Sequence, residues 1–256
     1  MQHHTDAQTP GRTLAIFWRV VAGIISEHVL SQRILAEWGS AVLVALFILR
    51  DSSHSNALLG VWALYAIAIS LYTTSVLADN AEQPYNVQRL LALPSRRIFI
   101  WAYLVSANII VYTCQIILVA ASLVLAPLAR PDMMQIVMTI PSIILIISVA
   151  TGCMLLLTPL ISSVLQRIVL MLVVAVPVIW GTIAAQLFTP ESASIKAALD
   201  AIFGIMLWPS LHLYATAVTP VFDTTTLIVF AINGTISLIL AAIAIARFQR
   251  KYLSNS

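Results

Sequence analysis

Between Ile98 and Ala129, and again between Met133 and Gln166, the chain runs without a single Asp, Glu, Lys or Arg. A helix needs about 20 apolar residues to cross the hydrocarbon core of a bilayer. Each run is long enough, and neither alternates in the way of a half-buried strand. The rest of the chain agrees: 61% of the 256 residues are hydrophobic and only 9% are charged. Soluble domains carry roughly 25% charged residues. A surface this apolar has to face lipid, so the expected fold is all-α and polytopic.

Six spans are expected. The first is Trp38 to Leu49, extended backward through Ile34 and Leu35 past Glu37; the second is 52–78, the third 98–129 and the fourth 133–166. The fifth is 168–190 and the sixth 224–246. The uncharged stretch 201–222 holds Trp208-Pro209 and Thr219-Pro220. Proline breaks a helical ladder, so 191–222 reads as a re-entrant hairpin rather than a seventh span. Segment 13–33 places Leu14, Phe17, Val21, Ile24 and Ile25 near one helical face, with Arg19 and Glu27 off it. That pattern suits an interfacial helix, with Trp18 at the headgroup level. Residues 1–12 are polar and read as a mobile tail. Residues 13–256 read as one transmembrane domain.

Orientation follows from where the cations lie. With six spans, ten of the thirteen basic residues fall on one side: Arg12, Arg19, Arg33, Arg89, Arg96, Arg97, Arg167, Arg247, Arg250 and Lys251. Arg50, Arg130 and Lys196 fall on the other. Both termini are therefore expected in the cytoplasm. A formal charge of +3 gives no reason to expect nucleic acid.

Several chemistries are missing from the sequence. It holds no Gly-x-x-x-x-Gly-Lys-Ser/Thr phosphate loop, no His-Glu-x-x-His and no Cys-x-x-Cys. Cys114 and Cys153 lie inside apolar runs and read as packing residues, with neither a disulfide nor a metal site indicated. No nucleophile–base pair is visible, so the chain is not expected to be an enzyme. Charged residues avoid the middles of the spans, which disfavours ion-coupled transport. Glu37, the one acid near a span interior, is expected to snorkel or to pair with Arg33 one turn away. The mild polar residues Asn108, Gln115, Thr151 and Thr158 are candidates either for interhelical bonding or for the wall of a substrate path. His54 and His212 are weaker candidates for touching a ligand on the outer side.

The connection between spans two and three is the most informative loop. Val87, Leu90 and Leu91 fall on one helical face, Pro94 ends that helix, and Ser95 can cap the next. An acidic residue followed by Arg-Leu-Leu-Ala-Leu-Pro-Ser-Arg-Arg between two spans resembles the ABC-2 type permeases. The resemblance implies that segment 82–97 is a coupling helix docked on a separate ATP-hydrolysing subunit. It implies an interface of Glu82, Arg89, Leu90, Leu91, Pro94, Ser95 and Arg97. It implies a second permease copy or a paralogue, ATP and Mg held by the partner and not by this chain, and a hydrophobic or amphipathic substrate. Trp62, the Leu-Leu-Ala-Leu-Pro segment and Val-Ala-Val-Pro-Val-Ile around Pro177 resemble the haem exporter B permeases of cytochrome c maturation, which would make haem a cargo. Pro84-Tyr85-Asn86-Val87 departs from that subfamily's approach to the loop. A non-transport membrane scaffold is the rival reading.

Overall fold

The computed structural model describes residues 10–49, 54–81, 96–126, 129–169, 210–221 and 223–253. Its long helices are α1 (Pro10–Leu30), α2 (Arg33–Val44), α3 (Ser55–Ala81), α4 (Arg96–Leu125), α5 (Met133–Leu157) and α6 (Thr224–Leu253). A π-helical turn, Ala45–Leu49, continues α2. Shorter helical pieces cover 164–169 and 210–218, and no strand occurs among the described residues.

Five of these helices are long and apolar enough to cross a membrane: α1, α3, α4, α5 and α6. The expected first span is the exception. It is realised as α2 plus the π turn, too short to join those five. It packs mainly on α4, as in Trp38 on Thr113, while longer side chains reach α3: Arg33 to Asn80, Glu37 to Thr73 and Ser40 to Tyr65. The expected fifth span, 168–190, and most of the 191–222 hairpin lie outside the described residues. Helix α1 begins at Pro10, inside the segment read as a tail.

Local chemistry sets the boundaries. Asp132 and Gln135 close a reciprocal capping box at the start of α5. The end of α5 comes at Leu157, nine residues before the uncharged run does, because Thr158 precedes Pro159. The proline ring pushes its predecessor out of the helical region, and Thr158 is extended, at ψ 152°. Pro141 is accommodated within α5.

Two apolar clusters fill the bundle. One joins the start of α3 (Leu58, Trp62), the end of α4 (Leu118) and the first half of α5 (Ile143, Ile147). The other joins the end of α3 (Leu77), the start of α4 (Phe99, Tyr103) and the ends of α5 (Leu155) and α6 (Phe248). Helices α3, α4 and α5 therefore run up, down and up. Helix α6 ends where α5 ends, so the two are parallel. They approach closely at Gly152, where an added Cβ would lie 3.1 Å from Leu240 Cβ. Helix 210–218 sits at the opposite end, with Ala217 accepting from Thr139 Oγ1 at 3.2 Å and Tyr214 beside Gly60. Helix α3 is the centre of the bundle, with 61% of its most apolar stretch buried, against 11% for α1.

The apolar face of α1 turns inward rather than toward lipid. Val21 is buried, and Val20, Ile24 and Ile25 pack on the second cluster. Leu14 and Trp18 remain exposed. Contacts of α1 with α4 include Arg97 beside Leu14 and Phe17, and Ser106 on the Val21 carbonyl.

Candidate functional site

Between the two apolar clusters lies a layer of buried polar side chains. Ser70, Thr73 and Thr74 enter it from α3, Ser106 from α4 and Thr151 from α5. Two are satisfied within their own helix: Ser70 donates to the Ala66 carbonyl at 2.6 Å and Ser106 to the Ala102 carbonyl at 2.7 Å. Tyr103 closes the layer by donating to the Thr74 carbonyl.

Its charged member is Glu37. The expected pairing with Arg33 does not form; Arg33 is exposed and donates to Asn80 Oδ1 at 3.1 Å. Glu37 points the other way and is 1% exposed. Its Oε2 lies 2.8 Å from His28 Nε2, and its Oε1 accepts from Thr73 Oγ1 at 2.8 Å. A carboxylate taken out of water needs both charge-assisted bonds, and an exposed Arg33 could supply them only by burying a second, bulkier cation. The turn between α1 and α2 makes the pairing possible. Gln32 adopts a left-handed conformation, φ 59°, and folds α1 back so that residues nine apart meet. The conformation costs about 1–2 kcal/mol for a residue with a Cβ. Ser31 adds a bond to the His28 carbonyl at 2.7 Å. His28 itself is fully buried, and its Nδ1 has no hydrogen-bond partner. Thr73 lies eight residues before the end of α3, so the pair is roughly 12 Å inside the helix end. Glu37 is thus turned into the bundle instead of snorkelling or pairing with Arg33.

The candidate path residues separate. Asn108 and Thr151 meet across α4 and α5, at 3.4 Å, and Asn108 Nδ2 also donates to the Leu104 carbonyl. Thr158 is buried and donates to the Leu155 carbonyl at 2.7 Å. These three spend polar atoms on interhelical and helix-terminal bonds. Gln115 is different. It lines a cleft of about 510 Å³ whose floor is Trp62, Thr139 and Ile143 and whose mouth is Ile116, Ile140 and Ile144. The wall is almost wholly apolar.

Of the expected partner interface, Glu82, Arg89, Leu90, Leu91, Pro94 and Ser95 lie outside the described residues. Arg97 is exposed at the start of α4, in a shallow groove with Thr13, Leu14 and Phe17 of α1. Around it the bundle gathers cations. Arg33 is held at the end of α3, and Phe248, between Arg247 and Arg250, stacks on Phe99 with ring centroids 6.1 Å apart. Arg167 follows Leu160 and Ile161 of the same cluster. Arg130 is at the far end, donating to the Leu123 carbonyl. Cys114 and Cys153 are free thiols, and no group of His, Cys, Asp and Glu among the described residues could hold a metal ion. His54 is exposed, and His212 lies in helix 210–218, its carbonyl accepting from Thr216.

His28 is the residue that sequence reasoning missed. The signal available was a lone acid in an apolar run whose near neighbours include one histidine, and it needed the Gln32 turn to become a contact. The chain matches no protein-family model, no curated protein and no solved structure.

Proposed function

We propose that this chain is the membrane-spanning permease subunit of an ATP-driven exporter, with a separate ATPase bound at segment 82–97. The observation that carries the reading is the gathering of Arg33, Arg97, Arg167, Arg247 and Arg250 at one end of the bundle, the end where α3 and α4 are joined. Cations concentrated at one end mark the cytoplasmic side, and that is the side on which a coupling helix has to meet a soluble ATPase. Both termini fall on this side. Helix α1, with Leu14 and Phe17 beside Arg97 at this end, is read as lying across the bundle near the interface rather than through it. The polar layer and the apolar cleft support a hydrophobic or amphipathic cargo, because neither offers an unpaired charge to hold an ion. A second permease copy or paralogue completes the assembly.

Affinity purification in mild detergent tests the reading. A nucleotide-binding subunit is expected to accompany the native chain and to be lost with Leu91→Asp. Absence of any ATPase, or its full retention by the variant, overturns it in favour of a scaffold.

One observation favours a second reading, transport coupled to protons. The buried Glu37–His28 pair is the kind of intramembrane ionisable group that proton relays use. Uptake or efflux that follows an imposed pH gradient in vesicles without ATP would select it.

A further inference from the structure

The cleft between α4 and α5 has an unfinished hydrogen-bond account. Four polar side chains contribute to its wall. The Trp62 indole N–H donates to Ser122 Oγ at 3.0 Å, and Thr139 donates to the Ala217 carbonyl. The Tyr112 hydroxyl is near Ser148. Gln115 donates through Nε2 to the Trp62 carbonyl at 3.2 Å, and a carbonyl partner fixes which end of the amide is which. What remains is Gln115 Oε1, which is buried and accepts nothing. The side chain is only 6% exposed. Leaving such an acceptor unpaired in apolar surroundings is costly, and water has no ready route to it through Ile116, Ile140 and Ile144.

We infer that the cleft binds the apolar body of a small-headed neutral amphiphile whose single hydroxyl donates to Gln115 Oε1. Three features select that chemistry. The cleft's volume of about 510 Å³ suits one such molecule. Its wall carries no charge, so a charged head would be stranded. Its depth excludes an ordinary phospholipid as the donor. Gln115 is ten residues from the end of α4, about 15 Å, near the middle of a bilayer. Phospholipid donors stay at the headgroup level. As the cargo class of an exporter this inference rests on the permease reading.

The test uses the full chain reconstituted in phosphatidylcholine vesicles with a long-chain alcohol bearing a photoactivatable diazirine on its alkyl chain. The matched methyl ether, which cannot donate, and a diazirine phosphatidylcholine are run alongside. The alcohol is expected to label peptides covering 112–123 and 136–144 about fivefold more strongly than the ether, the ratio that one buried hydrogen bond gives. Gln115→Leu should bring the alcohol down to the ether. Ile140→Trp, which fills the mouth from a half-exposed position, should lower both probes. Equal labelling by alcohol and ether in the native chain overturns the inference. So does equal labelling by the phospholipid probe, which would identify the occupant as bulk lipid. If Gln115→Leu does not fold, the native alcohol-to-ether ratio and Ile140→Trp decide. Selective labelling with no co-purifying ATPase leaves the site standing and removes the exporter; an ATPase with no selective labelling does the reverse.

Discussion

Removing His28 should destabilise the bundle far more than removing the pair to which it belongs. In His28→Leu, Glu37 keeps only the Thr73 hydroxyl, with its second oxygen facing apolar side chains. Breaking a buried ion pair from one side costs about 3–5 kcal/mol. In Glu37→Leu, no carboxylate is stranded, and the loss is that of unmade hydrogen bonds, about 1–3 kcal/mol. In the double variant no carboxylate is stranded, so its cost should stay near that of Glu37→Leu alone. The cycle therefore predicts a coupling of about 3–5 kcal/mol, well above the 0.5 kcal/mol within which independent sites add. At about 2–4 °C per kcal/mol for a chain of this size, His28→Leu should melt roughly 10 °C below the native protein. The double variant should recover much of that difference. The assay is tryptophan-detected melting in one detergent at one scan rate, which keeps the comparison valid if unfolding is irreversible. Additive single effects, or a neutral His28→Leu, would refute the claim that Glu37 is a buried charge held by this contact.

Two further predictions come from the ends and middle of α5 and α6. Gly152→Ala places a Cβ 3.1 Å from Leu240 Cβ, so it should cost about 1–3 kcal/mol by overpacking, and Leu240→Ala should relieve part of that loss in the same melting assay. Asp223 caps α6 by accepting from the Thr226 amide at 2.7 Å, and this backbone bond, foremost, holds its carboxyl below the usual range. A depressed folded pKa means that the stabilisation is present at neutral pH and is lost as pH falls through that lowered value. Amide protection at Thr226 should follow that course in hydrogen exchange, and Asp223→Ala should abolish both the protection and its pH dependence.

Much of the helical layout was legible because membrane spans are written in what they omit. The uncharged runs beginning at Ile98 and Met133 correspond to α4 and α5, and the second was overestimated where Pro159 cuts the helix but not the hydropathy. The clustering of cations survived translation into three dimensions because it depends only on which helix ends lie together. Two things were not legible. The inward turn of the α1 face was hidden because Val21, Ile24 and Ile25 would look the same against lipid as against Phe99 and Tyr103. The Glu37 partner was hidden because helical spacing pointed to Arg33, whereas a left-handed Gln32 delivered His28. Among the four polar path candidates, residue type could not separate Gln115 from Asn108. Only packing does, since one lines a cleft and the other is spent on Thr151 and Leu104.

The π turn at the end of α2 has a consequence for phase. Glu37, Ala41, Ala45 and Leu49 are all buried and all four residues apart. In an uninterrupted α-helix each such step overshoots a full turn by about 40°, so by Leu49 the series would have rotated about a third of the way round the axis. A π turn carries more residues per revolution and takes back part of that rotation. The same side of α2 can then stay against the bundle from the polar layer to Leu49, while Phe47 and Ile48 stay outside. The wide turn thus acts as a gear change: it keeps one meshing edge on a helix whose sequence repeat is too long for its natural pitch.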